Sequence, residues 1–294
     1  DVAYMVNDET GYVKISQFAQ TTYKEFMQAV EKLKSQGMTK MILDLRGNGG
    51  GIMESATMIA DQFLNEGQLI VYTEGRSRPR ENDYATSRGI LHDDKLVVLI
   101  DETSASASEI LAGAIQDNDR GIVIGRRSFG KGLVQEEMRF ADGSALRLTV
   151  ARYYTPTGRS IQKSYENGNE DYYHDLRNRL ERGEFEHEDS IKFDDSQKFI
   201  TPGGKVVYGG GGIMPDVFVP IDTASTSEYY SKVRSLGLMY RFAFHYTDLH
   251  RHALEQFDTA QEIEGYLDDR DLLSDFIQYA RCLLYTSPSP RDRT

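Results

Sequence analysis

Short apolar runs alternate with helical patterns of apolar residues through the first 125 residues of the chain. The runs predict strands at 11–16, 41–45, 67–73, 96–101 and 121–125. Between them, apolar residues spaced three and four apart predict helices that begin near residues 22, 53 and 109. Apolar strands that alternate with helices are typical of a sheet with both faces covered. The sequence therefore predicts an α/β core built from βα repeats.

The rest of the chain divides by composition. Residues 133–140 and 145–151 predict a β-hairpin. Residues 164–198 contain 11 acidic and 5 basic side chains with little periodicity, which predicts an acidic surface insertion that is helical near 171–182. We therefore expect a core at 1–221 that contains this insertion, followed by a small helical appendage at 222–281. Residues 282–294 resemble translated vector sequence, and we expect them to be a non-native tail.

The charge and the cysteine count exclude several kinds of protein. The chain has 294 residues and a formal net charge of −12, which argues against nucleic acid as a partner. The chain contains no run of 18 apolar residues, which is the length needed to span a membrane. The single cysteine, Cys282, excludes an internal disulfide and a thiolate metal cage. Because the chain begins with Asp1 rather than Met, we expect a processed product or a fragment, with any targeting signal upstream.

Three loops follow predicted strands, where α/β sheets bind their ligands. In the first, Arg46–Gly51, four glycines within five residues let the backbone approach a ligand closely. A predicted helix follows, so the loop is suited to an anion or an oxyanion. A tight turn without a ligand explains the glycines equally well. A dinucleotide site is disfavoured, because Ile52 stands where the third glycine of that motif would be.

The second loop presents three serines separated by alanines at the start of a predicted helix, namely Ser104, Ser106 and Ser108. A serine in this position gains from the helix dipole, which favours developing negative charge. The residues alone do not distinguish which of the three would be a nucleophile. The alternative is that one of them is simply the N-cap of the helix.

The third loop, Gly125–Gly132, resembles a phosphate-binding loop but departs from it twice. Gly132 replaces the hydroxyl residue that would hold Mg²⁺, and a strand rather than a helix is predicted to follow. Lys131 has another use, because a lysine desolvated among apolar neighbours becomes a usable base. In a strand, Lys131 and Gln135 would share a face, so the Gln135 amide could orient the Lys131 amine. The alternative is an exposed lysine in a loop.

With these loops in place, the sequence resembles the carboxy-terminal processing peptidases, also called tail-specific proteases, which are serine endopeptidases with a Ser–Lys dyad. Five motifs carry the resemblance, in the family's order, across roughly residues 11–220. They are 43–51 (LDLRGNGGG), 104–110 (SASASEI), 128–132 (SFGKG), 154–162 (YTPTGRSIQ) and 212–217 (GIMPDV). The resemblance implies a crotonase-like or ClpP-like α/β peptidase core.

The resemblance implies that the middle serine, Ser106, is the nucleophile and that Lys131 is its general base, supported by Gln135. Neutral Lys131 would take the proton from the Ser106 hydroxyl, which attacks a peptide carbonyl and forms an acyl-enzyme. Water activated by Lys131 would then release the acyl group. This chemistry requires no metal and no cofactor, and we expect none.

The resemblance also implies an oxyanion hole made by the backbone N–H of Ala107 and of a glycine in the first loop. Gly50 is the favoured glycine, and Gly51 is the alternative. The family's loop reads Arg-Asn-Asn-Pro-Gly-Gly, and this chain has Gly47 and Gly49 in place of the first Asn and the Pro. One such donor typically stabilises the transition state by about 3–4 kcal/mol.

The family's proteins carry a PDZ domain that captures substrate C-termini. This chain has only ten residues before its first predicted strand, so we expect a fragment with reduced or poorly regulated activity. The resemblance implies protein or peptide substrates bound through their C-termini, a homo-oligomer or an adaptor protein as a partner, and export to the bacterial periplasm or cell envelope. Two other hypotheses stay open: a catalytically inactive binding module with this fold, and a P-loop nucleotide-binding protein.

Overall fold

Strands and helices alternate through the core of the computed structural model, which describes residues 2–165, 168–222, 227–257 and 260–284. The strands are β1 Val2–Met5, β2 Thr10–Lys14, β3 Lys40–Asp44, β4 Leu69–Gly75, β5 Arg78–Tyr84, β6 Lys95–Ile100, β7 Ile122–Gly125, β8 Leu133–Arg139, β9 Ala145–Tyr154, β10 Lys198–Ile200, β11 Val206–Tyr208 and β12 Val217–Phe218. The helices are α1 Thr22–Ser35, α2 Met53–Asp61, α3 Ala107–Asp117, α4 Asn169–Glu181, α5 Glu228–Ser235, α6 Leu238–Leu249, α7 Arg251–Leu254, α8 Ala260–Asp268 and α9 Leu272–Leu284.

The largest sheet is parallel apart from one edge. Its strand order is β1-β2-β3-β6-β7-β12, and β1 pairs with β2 in the antiparallel direction. The strands β2, β3, β6, β7 and β12 pair in parallel. Leu43, Val98 and Val123 on three of these strands are fully buried, in one core with apolar side chains of α1, α2 and α3. This arrangement confirms the predicted α/β fold class.

The register of the parallel strands brings their C-terminal ends to one edge. Asp44 at the end of β3 lies opposite Leu99 on β6, and Ile100 at the end of β6 lies opposite Gly125 at the end of β7. Because parallel strands point the same way, the loops that leave β3, β6 and β7 begin side by side. These are the three loops with unusual residues in the sequence.

A second sheet has the strand order β5-β4-β9-β8. The predicted hairpin is confirmed, since β8 pairs with β9 from Leu133 opposite Arg152 to Arg139 opposite Ala145. β8 is one of the two edge strands of this sheet, and the loop before it is the one that carries Lys131. β5 is a strand that the sequence pattern does not predict.

The acidic segment at 164–198 contains α4 and several buried side chains. Arg179 on α4 is fully buried, and Glu184 just after the helix is nearly so. Tyr172 on α4 is also buried. The segment is therefore anchored in the fold through charged and aromatic side chains, despite its acidic composition. β10 and β11 follow it as an antiparallel pair.

The chain forms two compact units, Asp1–Ile221 and Asp222–Thr294. The second unit contains α5–α9, and its small core includes Val233, Leu238 and Ala280. Cys282 is exposed on α9, which ends at Leu284. The rest of the predicted tail, 285–294, lies outside the described residues. Within the described ranges, no helix is both long and apolar enough to cross a membrane.

Candidate active site

Three loops meet where β3, β6 and β7 end: the glycine loop (residues 46–51), the serine loop (101–106) and the lysine loop (126–132). Main-chain hydrogen bonds join them directly. The Ala105 N–H donates to the Asn48 carbonyl (3.0 Å), and the Phe129 N–H donates to the Ser104 carbonyl (2.9 Å). The serine loop thus lies between the other two and is bonded to both.

The three serines of the sequence motif have different surroundings. Ser104 and Ser108 are fully buried, and their hydroxyls donate to the main-chain carbonyls of Leu45 (2.8 Å) and Asn48 (3.0 Å). Ser106 is half-buried and lines a cavity of about 780 Å³. The two buried hydroxyls stabilise the loops, whereas the Ser106 side chain lies where a substrate can approach it.

Ser106 precedes α3 in a backbone conformation that is unusual for a serine. Its φ is 57° and its ψ is −113°. A non-glycine residue in such a sparsely populated region costs about 1–3 kcal/mol, and strain of this kind persists where the surroundings over-determine it. Ala107 begins the helix, and its N–H, which directly follows Ser106, has no acceptor among the described residues. Negative charge that develops there is favoured by the helix dipole.

The cavity beside Ser106 is also lined by Lys131 and Gln135. Lys131 lies in the lysine loop and is half-buried, and Gln135 on β8 is exposed. The Gln135 amide nitrogen donates a long hydrogen bond to the Thr149 hydroxyl (3.5 Å). Among the residues that the structure describes, no hydrogen bond joins Gln135 to Lys131. Support of the lysine by Gln135 therefore stays a prediction.

Asn48 fixes the glycine loop against the serine loop. Its side chain is fully buried, and its Nδ2 donates to the Ile15 carbonyl (2.8 Å). Its Oδ1 accepts a hydrogen bond from the Gly50 N–H (2.8 Å). Its main-chain carbonyl accepts hydrogen bonds from Ala105 and Ser108 of the serine motif. One side chain and its own carbonyl therefore set the distance between the glycines and the serine.

The backbone donors of the predicted oxyanion hole are in different states. The Gly50 N–H is already bonded to Asn48. In the described part of the chain, no acceptor is bonded to the N–H of Ala107 or of Gly51. Gly50 nevertheless packs closely here, because a Cβ built on it would lie 2.9 Å from the Ala107 nitrogen. The unbonded donors of this region thus belong to the first residue of α3 and to Gly51, which lines the same cavity as Ser106.

Glu109 joins the serine loop to the lysine loop, a role that the sequence motifs did not predict. Its carboxylate is fully buried and accepts from the N–H groups of Ser106 (2.8 Å), Gly130 (2.7 Å) and Lys131 (2.9 Å), and from the Ser128 hydroxyl (2.5 Å). Burial raises the pKa of this carboxyl above its usual value, against the hydrogen bonds, which lower it. A signal was present in the sequence, because Ser106-x-x-Glu109 has the spacing of a capping box.

Tyr153 on β9 contacts both halves of the predicted dyad through their main chain. Its hydroxyl lies within hydrogen-bonding distance of the Ser106 carbonyl (3.0 Å) and of the Lys131 carbonyl. Burial raises the pKa of the Tyr153 hydroxyl well above its usual value, so it stays a neutral donor. Together with Glu109, it fixes the main chain around Ser106 and Lys131.

The lysine loop is poorly suited to hold a phosphate. A phosphate-binding loop offers free N–H groups and leads into a helix. Here the N–H groups of Gly130 and Lys131 are bonded to Glu109, that of Gly132 is bonded to Gln162 (2.8 Å), and β8 follows. Within the described ranges, no group of three or more His, Cys, Asp or Glu side chains is placed to hold a metal ion.

A serine at a helix N-terminus, a lysine in the same cavity and unbonded main-chain N–H groups in the adjoining loops are groups that a serine hydrolase can use. Residues 9–169 match the protein family described as Peptidase family S41, and the chain belongs to this family. The resemblance to the carboxy-terminal processing peptidases is thereby confirmed. Residues 229–282 match a second family, described as a family of unknown function (DUF8443).

Named relatives are similar to the core of the chain. The carboxy-terminal-processing protease of Bartonella bacilliformis is 43% identical over 166 residues, which are 55% of this chain and 38% of that protein. The carboxyl-terminal-processing protease of Synechocystis sp. is 44% identical over 153 residues, or 52% of this chain and 35% of that protein. The solved structure of a photosystem II D1 C-terminal processing protease has 30% identity and a TM-score of 0.52, covering 72% of this chain and 42% of that one. The chain thus spans less than half the length of these proteins.

Proposed function

We propose that this chain contains the catalytic core of a serine endopeptidase of the carboxy-terminal processing type. The observation that carries the proposal is the placement of Ser106 and Lys131 in one cavity, next to the free N–H groups of Ala107 and Gly51. Membership of Peptidase family S41 supports the same reaction class.

The proposed reaction begins when the neutral amine of Lys131 takes the proton from the Ser106 hydroxyl. The Ser106 Oγ attacks the carbonyl carbon of the substrate's peptide bond, and a tetrahedral intermediate forms with the negative charge on the former carbonyl oxygen. The ammonium of Lys131 then gives its proton to the leaving amine, and the C–N bond breaks. Water, deprotonated by Lys131, attacks the resulting ester; the bond to the Ser106 Oγ breaks, the acyl product leaves as a carboxylic acid, and Lys131 returns the proton to the Ser106 oxygen.

Two main-chain donors stabilise the tetrahedral oxyanion in this proposal. The Ala107 N–H is one of them, and the Gly51 N–H is the second in the conformation described, because the Gly50 N–H is bonded to Asn48. Gly50 would serve instead after its bond to Asn48 breaks. Each donor is expected to stabilise the transition state by about 3–4 kcal/mol.

The biological setting is proposed from the relatives. Their names describe bacterial and chloroplast processing proteases, so we propose protein substrates that are processed near their C-termini, and an exported protein. Self-association or an adaptor protein would then present the substrate. An inactive binding module is the alternative proposal, and the intact set of Ser106, Lys131 and Gln135 favours the peptidase over it.

The proposal is tested with Ser106→Ala and Lys131→Ala in the full chain, assayed on an unfolded protein with an apolar C-terminal tail. Ser87→Ala and Lys32→Ala are matched controls, because both residues are exposed and lie outside the cavity. We expect both active-site variants to lose cleavage while both controls keep it. Cleavage by either active-site variant at the rate of the unsubstituted chain would contradict the Ser–Lys mechanism.

A further inference from the structure

The acidic segment sends a buried arginine to the loop that carries Lys131. Arg179 lies on α4, beyond residue 169 where the match to Peptidase family S41 ends. Its side chain is fully buried and donates to the main-chain carbonyls of Arg127 (2.6 Å) and Ser128 (3.0 Å). These carbonyls lie three and four residues before Lys131, within the lysine loop.

The charge of Arg179 is balanced by a carboxylate that also holds the lysine loop. The nearly buried Glu184 accepts from Arg179 Nε (2.8 Å) and makes a two-point ion pair with Arg127 (2.7 and 2.8 Å). Arg127 in turn donates to the Gly211 carbonyl (2.9 Å). In a buried network of this kind, a charged group that loses its partner stays desolvated and unpaired, which is costly. Arg179, Glu184 and Arg127 are therefore expected to keep one arrangement.

The same segment also holds the middle of the lysine loop. The ring of Tyr172, on α4, packs edge-on against the ring of Phe129, with the ring centres 6.3 Å apart. Just before the segment, the Lys163 amine lies 3.8 Å from the centre of the Phe129 ring, and the Lys163 main-chain N–H donates to the Gly130 carbonyl (3.0 Å). These contacts continue the attachment from residue 127 to residue 130.

The core also holds the lysine loop, through its N–H groups. Glu109 accepts from the N–H groups of Gly130 and Lys131 and from the Ser128 hydroxyl. The N–H groups at the start of the loop donate to main-chain carbonyls of the core. Among the described residues, Arg179 is the side chain that bonds to the two carbonyls at the start of the loop.

We propose that Arg179 is a positioning residue for Lys131, and that the acidic segment fixes the start of the loop that carries this general base. The inference rests on the proposed peptidase function, because it assigns Lys131 to that reaction. Arg179 is fully buried, is not among the residues that line the cavity, and donates to main-chain carbonyls. Its loss should therefore slow proton transfer without weakening the binding of the substrate.

The test compares Arg179→Met and Arg179→Lys with Arg177→Met in the full chain. Arg177 is the matched control, because it lies on the same helix with 75% of its side chain exposed. Misplacement of a catalytic group by about 1 Å costs about 100-fold in rate, so we expect kcat of Arg179→Met to fall about 100-fold at unchanged KM. Arg179→Lys should recover part of kcat, because a lysine restores the charge and some of the hydrogen bonds. Arg177→Met should keep the kcat of the unsubstituted chain.

Amide hydrogen exchange provides a readout that does not depend on activity. The Gly130 and Lys131 N–H groups should lose protection in the Arg179 variants and keep it in Arg177→Met. If the unsubstituted chain cleaves nothing, the proposed function fails, and the exchange measurement still tests the positioning role. If Arg179→Met does not fold, Arg179→Lys carries both measurements. Unchanged kcat and protection in a folded Arg179 variant, or a rise in KM alone, would overturn the inference.

Discussion

Replacement of Gly50 by alanine would press a methyl group against the main chain on either side of Ser106. Gly50 has a φ of 97°, and a Cβ built on it would lie 2.6 Å from the Ala105 carbonyl oxygen and 2.9 Å from the Ala107 nitrogen. Both contacts are with main-chain atoms, so no side-chain rotation can relieve them. The backbone of the serine loop would have to move away from the glycine loop.

Gly47→Ala separates the strain of a positive φ from this close contact. Gly47 has a φ of 76°, and a Cβ built on it meets nothing within 4 Å. A left-handed backbone costs an alanine about 1–2 kcal/mol, and reduced freedom of the unfolded chain returns about 0.4–1 kcal/mol. We therefore expect Gly47→Ala to lower the free energy of unfolding by about 1 kcal/mol. Gly50→Ala adds an overpacking term of about 1–3 kcal/mol, for a total of about 2–4 kcal/mol.

Urea unfolding of the two variants measures this difference, with an unchanged m-value as the check that the transition is the same. Cleavage of an unfolded protein substrate measures the second consequence. Displacement of Ser106 and of the Ala107 N–H should lower kcat of Gly50→Ala by about 100-fold, whereas Gly47→Ala should keep its kcat. If the two variants have equal stability and equal kcat, then the close approach of Gly50 to the serine loop is not important for folding or catalysis.

Three further substitutions test side chains that hydrogen-bond to the three loops. Burial raises the pKa of Glu109, so the stability that the protonated Glu109 side chain contributes is present below about pH 4.5 and is lost as the pH rises through its folded-state pKa. The unfolding free energy of the unsubstituted chain minus that of Glu109→Gln should therefore fall as the pH rises through this range. A difference that does not change with pH would contradict the prediction. Burial opposes the ionisation of Asp44, but hydrogen bonds from Arg46 and Tyr12 hold its pKa below the usual value. The unfolding free energy of the unsubstituted chain minus that of Asp44→Asn should therefore shrink as the pH falls below about 4. A difference that grows at low pH would refute the reasoning. Tyr153→Phe removes the hydroxyl that lies between the main-chain carbonyls of Ser106 and Lys131. We expect the unfolding free energy to fall by about 1 kcal/mol and kcat to fall as well. Unchanged values in both assays would show that this hydroxyl is dispensable.

The parallel core was predictable because its strands are apolar on both faces. Leu43 on β3 and Val98 on β6 are fully buried, and their apolar runs are visible in the sequence. β5 was not predictable in this way, because it is the sequence RPRENDY and nearly all of its residues are exposed. A strand held by pairing with β4 alone leaves no hydrophobic pattern to detect.

The site was predictable in its residue types but less so in its bonding. The glycines, serines and lysine after the strands indicate a nucleophilic centre, because these residue types give backbone donors, a hydroxyl and a base. The bond from the Gly50 N–H to Asn48 depends on how one side chain folds back onto its own loop. Arg179 lies in a segment whose average composition is acidic. Its burial depends on hydrogen bonds to carbonyls some fifty residues earlier in the chain. Neither contact has a periodicity or a motif in the sequence.

The most direct test of the proposed dyad is covalent labelling of the full chain with a fluorophosphonate probe, with the modified residue identified by mass spectrometry. Ser104 and Ser108 are fully buried, whereas Ser106 lines the cavity with Lys131. The mechanism predicts that the probe modifies Ser106 and that Lys131→Ala slows this modification strongly, while Lys32→Ala leaves its rate unchanged. Modification of a different serine, or an equal rate in Lys131→Ala, would contradict the assignment of Ser106 as the nucleophile and Lys131 as its base.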